Sequence, residues 1–145
     1  MDPSTARACS AAAALRVIGE RWSMLALREL FYGVRRFDAI ARATGAPRNI
    51  LTARLRHLES EGVIERRPYA DRPPRYEYHL TASGKDLLPV LLALLEWGGK
   101  HTDERPDLTL HHSCGAELAL RHSCAACGDE VRWRDLVPKP QAESA

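Results

Sequence analysis

At 145 residues the chain has room for one ordinary domain and a small appendage rather than two large domains. Its 45% hydrophobic and 28% charged residues are ordinary for a soluble globular protein, and no apolar run approaches the roughly 20 residues that a membrane-spanning helix requires. The net charge of +2 conceals a segregation: residues 35–75 carry ten arginines and no lysine against five acids, while the rest of the chain leans acidic. Arginine's rigid fork of donors matches phosphates and guanine edges, so such a centre points to a polyanionic partner; a merely solvated charged surface is the plain alternative.

The first residues, MDPSTARACS, hold an acid at position 2 and no apolar core. They do not read as a secretory signal, so the expected location is cytoplasmic, where cysteines stay reduced or bind metal. Residues 8–18 are alanine-rich with Leu15 and Ile18 apolar, which predicts a first helix ending at Gly19. Residues 21–32 repeat the helical period through Trp22, Leu25, Leu27 and Leu30 and stop at Gly33. A short third helix over 37–44 closes at Gly45; after Ala46 and Pro47 a fourth spans 48–61 and ends at Gly62. Residues 63–69 and 76–80 favour strands, the second with Tyr76, Tyr78 and Leu80 alternating against Glu77 and His79. Between them ADRPPR is expected to be irregular, because prolines remove donors and fix φ, leaving a hairpin with a stiff, arginine-tipped loop. Thr81 is expected to cap one long last helix to about Gly98, kinked by Pro89 within it. Residues 87–97 are apolar nearly all round, so this helix must be covered on more than one side, and the expected cover is a second copy of the chain.

Short helix, tight turn, basic helix and hairpin make up the order of a winged helix-turn-helix. The fold class expected is therefore mainly α with a small β-hairpin wing. On a wheel of about 100° per residue, Leu51, Leu55 and Leu58 fall together and face the core, while Asn49, Thr52, Ala53 and Arg56 fall on the opposite side. That outer set suits reading DNA: Arg can pair with guanine and Asn with adenine, and the Thr and Ala methyls can meet thymine. Arg54 lies to one side, as a phosphate contact or a partner for a nearby Glu rather than a base reader. Arg48 stands at the helix N-terminus, where backbone N–H groups also attract phosphate. Arg72 and Arg75 flank Pro73-Pro74, a corner that would hold them in a minor groove or on the backbone.

Residues 9–100 resemble the HxlR-type family of bacterial winged helix-turn-helix transcription regulators. The strings that carry the resemblance are IGERW (18–22), RRF (35–37), LTARLRHLESEGVIER (51–66) and PPRYEYHLT (73–81). The resemblance implies a homodimer held by the first and last helices on a two-fold DNA operator, with the fourth helix in the major groove and the wing alongside. It also implies that Arg36, in the RRF string, touches the DNA backbone. Some members use an N-terminal cysteine as an oxidation sensor, which makes Cys9 the redox candidate, although the family's usual Cys-Pro is here Cys9-Ser10. A small buried thiol at the dimer seam is the alternative for Cys9. The other input considered is a small apolar or aromatic effector near Trp22, Phe31 and Trp97. Repression is preferred to activation because occluding an operator needs no further contacts.

The remaining motif is HHSCGAELALRHSCAACGDE. His111-x-x-Cys114-Gly115 and Cys124-x-x-Cys127-Gly128 are two knuckles of one form, each spacing two ligands three residues apart before a turn glycine. With a strand through Leu118 and Leu120 between them, the expectation is a small zinc-ribbon-like appendage holding structural zinc through His111, Cys114, Cys124 and Cys127. His112 or His122 could replace His111, and thiols without metal or a redox switch are the alternatives. No deaminase, dithiol-oxidoreductase, nucleophile-elbow or phosphate-loop pattern accompanies it, so no enzyme is expected. The competing function is a metal-binding protein-interaction module without sequence-specific DNA binding. The expected domains are 8–102 for DNA binding and dimerisation, 106–135 for the appendage and 136–145 for a disordered tail.

Overall fold

The computed structural model describes residues 9–106 and 108–140. Ala8, the expected start of the first helix, and residues 141–145 of the expected tail lie outside the described residues. The chain divides into two compact units, one through Glu104 and one from Arg105.

In the first unit, α1 (Ser10–Ile18) and α2 (Arg21–Phe31) meet at a junction that explains the IGERW string. A Cβ on Gly19 would strike the Leu15 carbonyl oxygen, so only glycine lets the chain turn this tightly. The next residue, Glu20, caps α2 by accepting from the backbone N–H groups of Trp22 at 2.8 Å and Ser23 at 3.3 Å. Helix α2 then runs through the middle of the unit, with Ala26, Leu27 and Leu30 buried against Ile40 of α3 (Phe37–Thr44) and Leu51, Leu55 and Leu58 of α4 (Arg48–Ser60). The predicted core stripe of α4 is thus the observed one. Between α3 and α4, Gly45 takes φ +73°, the left-handed conformation that ends α3 and that a side chain would strain. From α4, His57 Nε2 donates to the Arg16 carbonyl in the last turn of α1 at 3.1 Å.

Strands β1 (Ile64–Asp71) and β2 (Pro74–Leu80) form one antiparallel hairpin, paired from Ile64↔Leu80 out to Asp71↔Pro74 with a bulge between Pro68 and Ala70. The expected irregular ADRPPR loop is therefore wrong: pairing continues through it, and only Arg72 and Pro73, joined by a cis peptide bond, turn the chain. A two-stranded ribbon leaves many N–H groups facing outward, so prolines can stand in it without removing a ladder bond.

The single kinked last helix is also corrected. Thr81 Oγ1 does accept from Gly84 N–H at 3.2 Å, but it caps only a short α5 (Ala82–Lys85). Helix α6 (Leu88–His101) starts afresh with Pro89 in its first turn, where a proline's missing N–H has no helical partner to lose. Leu91 is the buried side chain of α6, while Leu88, Val90, Leu94 and Trp97 are exposed, as is Leu15 of α1. No helix among the described residues is long and apolar enough to cross a membrane.

The second unit has no strand through Leu118 and Leu120. It has two isolated bridges, His111↔Glu117 and Ser123↔Glu130, and a short 3-10 turn at Trp133–Asp135. The pairing there is only a short antiparallel contact: Leu118 N–H donates to the Leu110 carbonyl at 2.8 Å and His112 N–H to the Ala116 carbonyl at 3.0 Å, on either side of the His111↔Glu117 bridge. None of its described residues is buried.

Candidate nucleic-acid interface

Helices α3 and α4 with their left-handed turn form the helix-turn-helix, and the hairpin is its wing. Of the residues expected on the outer face of α4, Asn49, Ala53 and Arg56 are exposed and Thr52 is half-buried. Arg56 has no carboxylate partner among the described residues, so its donors are uncommitted. Thr52 Oγ1 donates to the Arg48 carbonyl at 2.8 Å, which leaves its methyl and an acceptor lone pair for a base edge. Arg48 is held by Asp38 Oδ1 at 2.7 Å and lies 4.8 Å from the centre of the Phe37 ring. Both partners are more than two-thirds exposed, so the pair is weak and a phosphate can compete for Arg48. Arg54 points elsewhere: its Nε is buried without a hydrogen-bond partner, and no Glu pairs with it among the described residues.

The wing is fastened to the recognition helix by a contact that the sequence did not suggest. Arg66 Nε of β1 donates to Glu59 Oε1 of α4 at 3.0 Å, and that hydrogen bond, then the carboxylate's charge, raise the Arg66 pKa above its usual value. Tyr78 of β2 lies beside the pair, its hydroxyl pKa raised by burial against the opposing effect of Arg66. Arg36, at the N-cap of α3, reaches the wing: it is held by Glu77 Oε1 of β2 at 3.4 Å and stacks over Tyr69 of β1 at 4.3 Å. Arg72 and Arg75 are exposed at the hairpin end. Arg36 and Arg75 also line, with Arg42 of α3, a cleft of about 490 Å³ between the wing and α3. Arg42 was not anticipated, since its i,i+4 spacing from Asp38 reads as an ordinary surface pair.

Cys9 is exposed at the N-cap of α1 and makes no side-chain capping bond. In the second unit Gly115 (φ +89°) and Gly128 (φ +79°) complete the two expected turns. The Cys124 thiol is held below its ordinary pKa by the backbone N–H groups of Cys127 and Ala126 and by the Cys127 thiol beside it. All four cysteines are free, and among the described residues no three His, Cys, Asp or Glu side chains converge into a group that could hold a metal ion.

A helix-turn-helix with a β wing and an arginine-rich outer face defines a winged-helix DNA-binding protein. The chain belongs to the HxlR-like helix-turn-helix family, which matches residues 17–106, and it is a transcriptional regulator of the helix-turn-helix type. It is 44% identical over 130 residues to the HTH-type transcriptional regulator Rv3095 of Mycobacterium tuberculosis, covering 88% of this chain and 82% of that one. The crystal structure of PA1607 superposes with a TM-score of 0.80 at 32% identity, covering 91% of this chain and 94% of PA1607. The redox regulator HypR in its reduced form matches at a TM-score of 0.60 and 32% identity, over 66% of this chain and 95% of HypR. The first unit ends at Glu104 of 145 residues, so the first two matches reach into the second unit.

Proposed function

We propose that the protein is a homodimeric repressor that occludes a two-fold operator, with α4 of each copy in a major groove. The observation that carries this reading is the outward row Asn49, Ala53 and Arg56, with Arg56 unpaired among the described residues, Arg36 exposed at the start of α3, and Arg72 and Arg75 exposed on the adjoining wing. Arg56 reads guanine and Asn49 adenine, while Arg36, Arg48, Arg72 and Arg75 hold phosphates and fix the register. The uncovered apolar residues Leu15, Leu88, Val90, Leu94 and Trp97 support a second copy packed on α1 and α6. A two-fold dimer calls for half-sites about 10 bp apart or a multiple of that.

Two features support an input. Cys9 is exposed at the start of α1, where an oxidant can reach it in one copy of the chain. A cleft of about 370 Å³ is floored by Phe31 and Leu80 and flanked by Arg35, Arg67 and Lys85, with no acid in its lining, which suits a small organic anion. The deciding experiment is selection of DNA by the purified protein, with and without oxidant and with and without benzoate. An enriched palindrome is the expected result. Sequence-blind binding, or none, would sink the repressor reading in favour of a protein-interaction module. Oxidant or benzoate that leaves operator affinity unchanged would remove the corresponding input.

A further inference from the structure

We propose that the second unit is a zinc module in which His111 Nε2 and the thiolates of Cys114, Cys124 and Cys127 bind one ion and draw its two turns together. The two halves of this site are built separately. In the second turn the Cys124 sulfur receives backbone N–H groups from Cys127 and Ala126 and lies beside the Cys127 thiol, so two sulfurs already stand together in a pocket of amide dipoles. Gly128 N–H closes that turn on the Cys124 carbonyl at 2.7 Å.

The first turn selects among its histidines. His111 Nδ1 lies 3.4 Å from the Gly115 carbonyl, which can only accept, so Nδ1 carries the proton and the Nε2 lone pair is free. A backbone carbonyl in this position is the usual partner of a metal-ligating histidine. His112 Nδ1 does the reverse, accepting from Cys114 N–H at 3.4 Å, a contact that leaves the proton on Nε2 and no lone pair there for a metal. His111 is therefore the imidazole prepared for a metal.

The rest of the unit supplies the need. None of its described residues is buried, the bridges among them are isolated, and Val131, Trp133, Leu136 and Val137 are exposed. A segment this small without an apolar core is the kind that a metal orders. Because no three ligands converge among the described residues, binding must include movement of the first turn onto the Cys124–Cys127 pair. Three thiolates and an imidazole form a tetrahedral set that suits zinc over magnesium or calcium, and forming it releases the three thiol protons.

The test uses the full chain, purified reduced and then incubated with zinc and desalted. The expected content is about one zinc per chain, as a four-ligand structural site requires. Cobalt in place of zinc should give the intense visible bands of tetrahedral thiolate ligation. His111→Asn and Cys114→Ser should each lower zinc affinity by tenfold or more, and His112→Asn should leave it unchanged. Zinc should also slow trypsin cleavage after Arg121, which is exposed between the turns; this readout reports the movement even in wild type. Less than a tenth of an equivalent of zinc with no cobalt spectrum would overturn the proposal. So would a Cys124–Cys127 disulfide that forms while added zinc is present. Loss of binding in His112→Asn but not His111→Asn would overturn the ligand assignment.

Discussion

Replacing Arg56 by Ala separates reading a base from holding the backbone. Arg56 is exposed and has no carboxylate partner among the described residues, so its removal should change folding stability by no more than about 0.5 kcal/mol. On DNA it should lose a bidentate pair with guanine worth about 1–3 kcal/mol, roughly 5- to 150-fold in affinity for the operator. Non-specific DNA should be affected far less, so the ratio of specific to non-specific affinity should fall by nearly the whole factor. The salt dependence is the second observable: a base contact leaves the slope of log affinity against log salt nearly unchanged. Removing a phosphate contact reduces it by about 0.9. Arg72→Ala, at the tip of the wing, should show that second pattern and weaken all sequences alike. Fluorescence anisotropy on operator and scrambled duplexes at several salt concentrations measures both. If Arg56→Ala weakens both duplexes equally and lowers the slope, Arg56 lies on the backbone and the docking of α4 argued above is wrong.

Other substitutions test other links. Gly19→Ala forces a methyl group into the Leu15 carbonyl and should cost about 1–3 kcal/mol, read as a lowered unfolding midpoint in urea; an unchanged midpoint would refute the tight junction. Trp97→Asp, on the uncovered face of α6, should shift the protein from dimer to monomer in sedimentation, and an unaltered dimer would move the interface elsewhere. Tyr78 is half-buried and its pKa is raised, so the stability it contributes is complete below the unfolded tyrosine value of about 10. That contribution is lost as pH rises through the folded value. Arg66→Ala removes the cation that opposes this shift, so absorbance titration should place Tyr78 higher still; a fall would contradict the contact.

The parts of the fold legible in the sequence are those written in a local period. Leu51, Leu55 and Leu58 recur at helical spacing, and they are the buried face of α4. Gly45 marks a turn by its own backbone freedom. Two predictions failed because proline was read as a breaker without regard to position. Pro89 begins α6 instead of kinking a longer helix, and Pro74 stands in a strand with no third neighbour. What fixes the site across elements was not legible. Glu59 and Arg66 are unremarkable singly, and only the turn at Gly62 that folds β1 back beside α4 brings them to 3.0 Å. Arg54, by contrast, was expected at a phosphate or a Glu; no Glu pairs with it among the described residues, and its Nε is buried without a hydrogen-bond partner.

The hydrogen bond from His57 to the Arg16 carbonyl makes α1 and the recognition helix mechanically continuous. Helix α1 has nine residues, a rod of roughly 13 Å, with Cys9 at one end and this bond near the other. A tilt imposed at the Cys9 end would therefore reach α4 through this bond and through the packing of Ile18 in the core that α4 shares. It need not pass through the wing. Because His57 lies one residue from Arg56 in sequence, a small rotation there re-aims the side chain proposed to read the base.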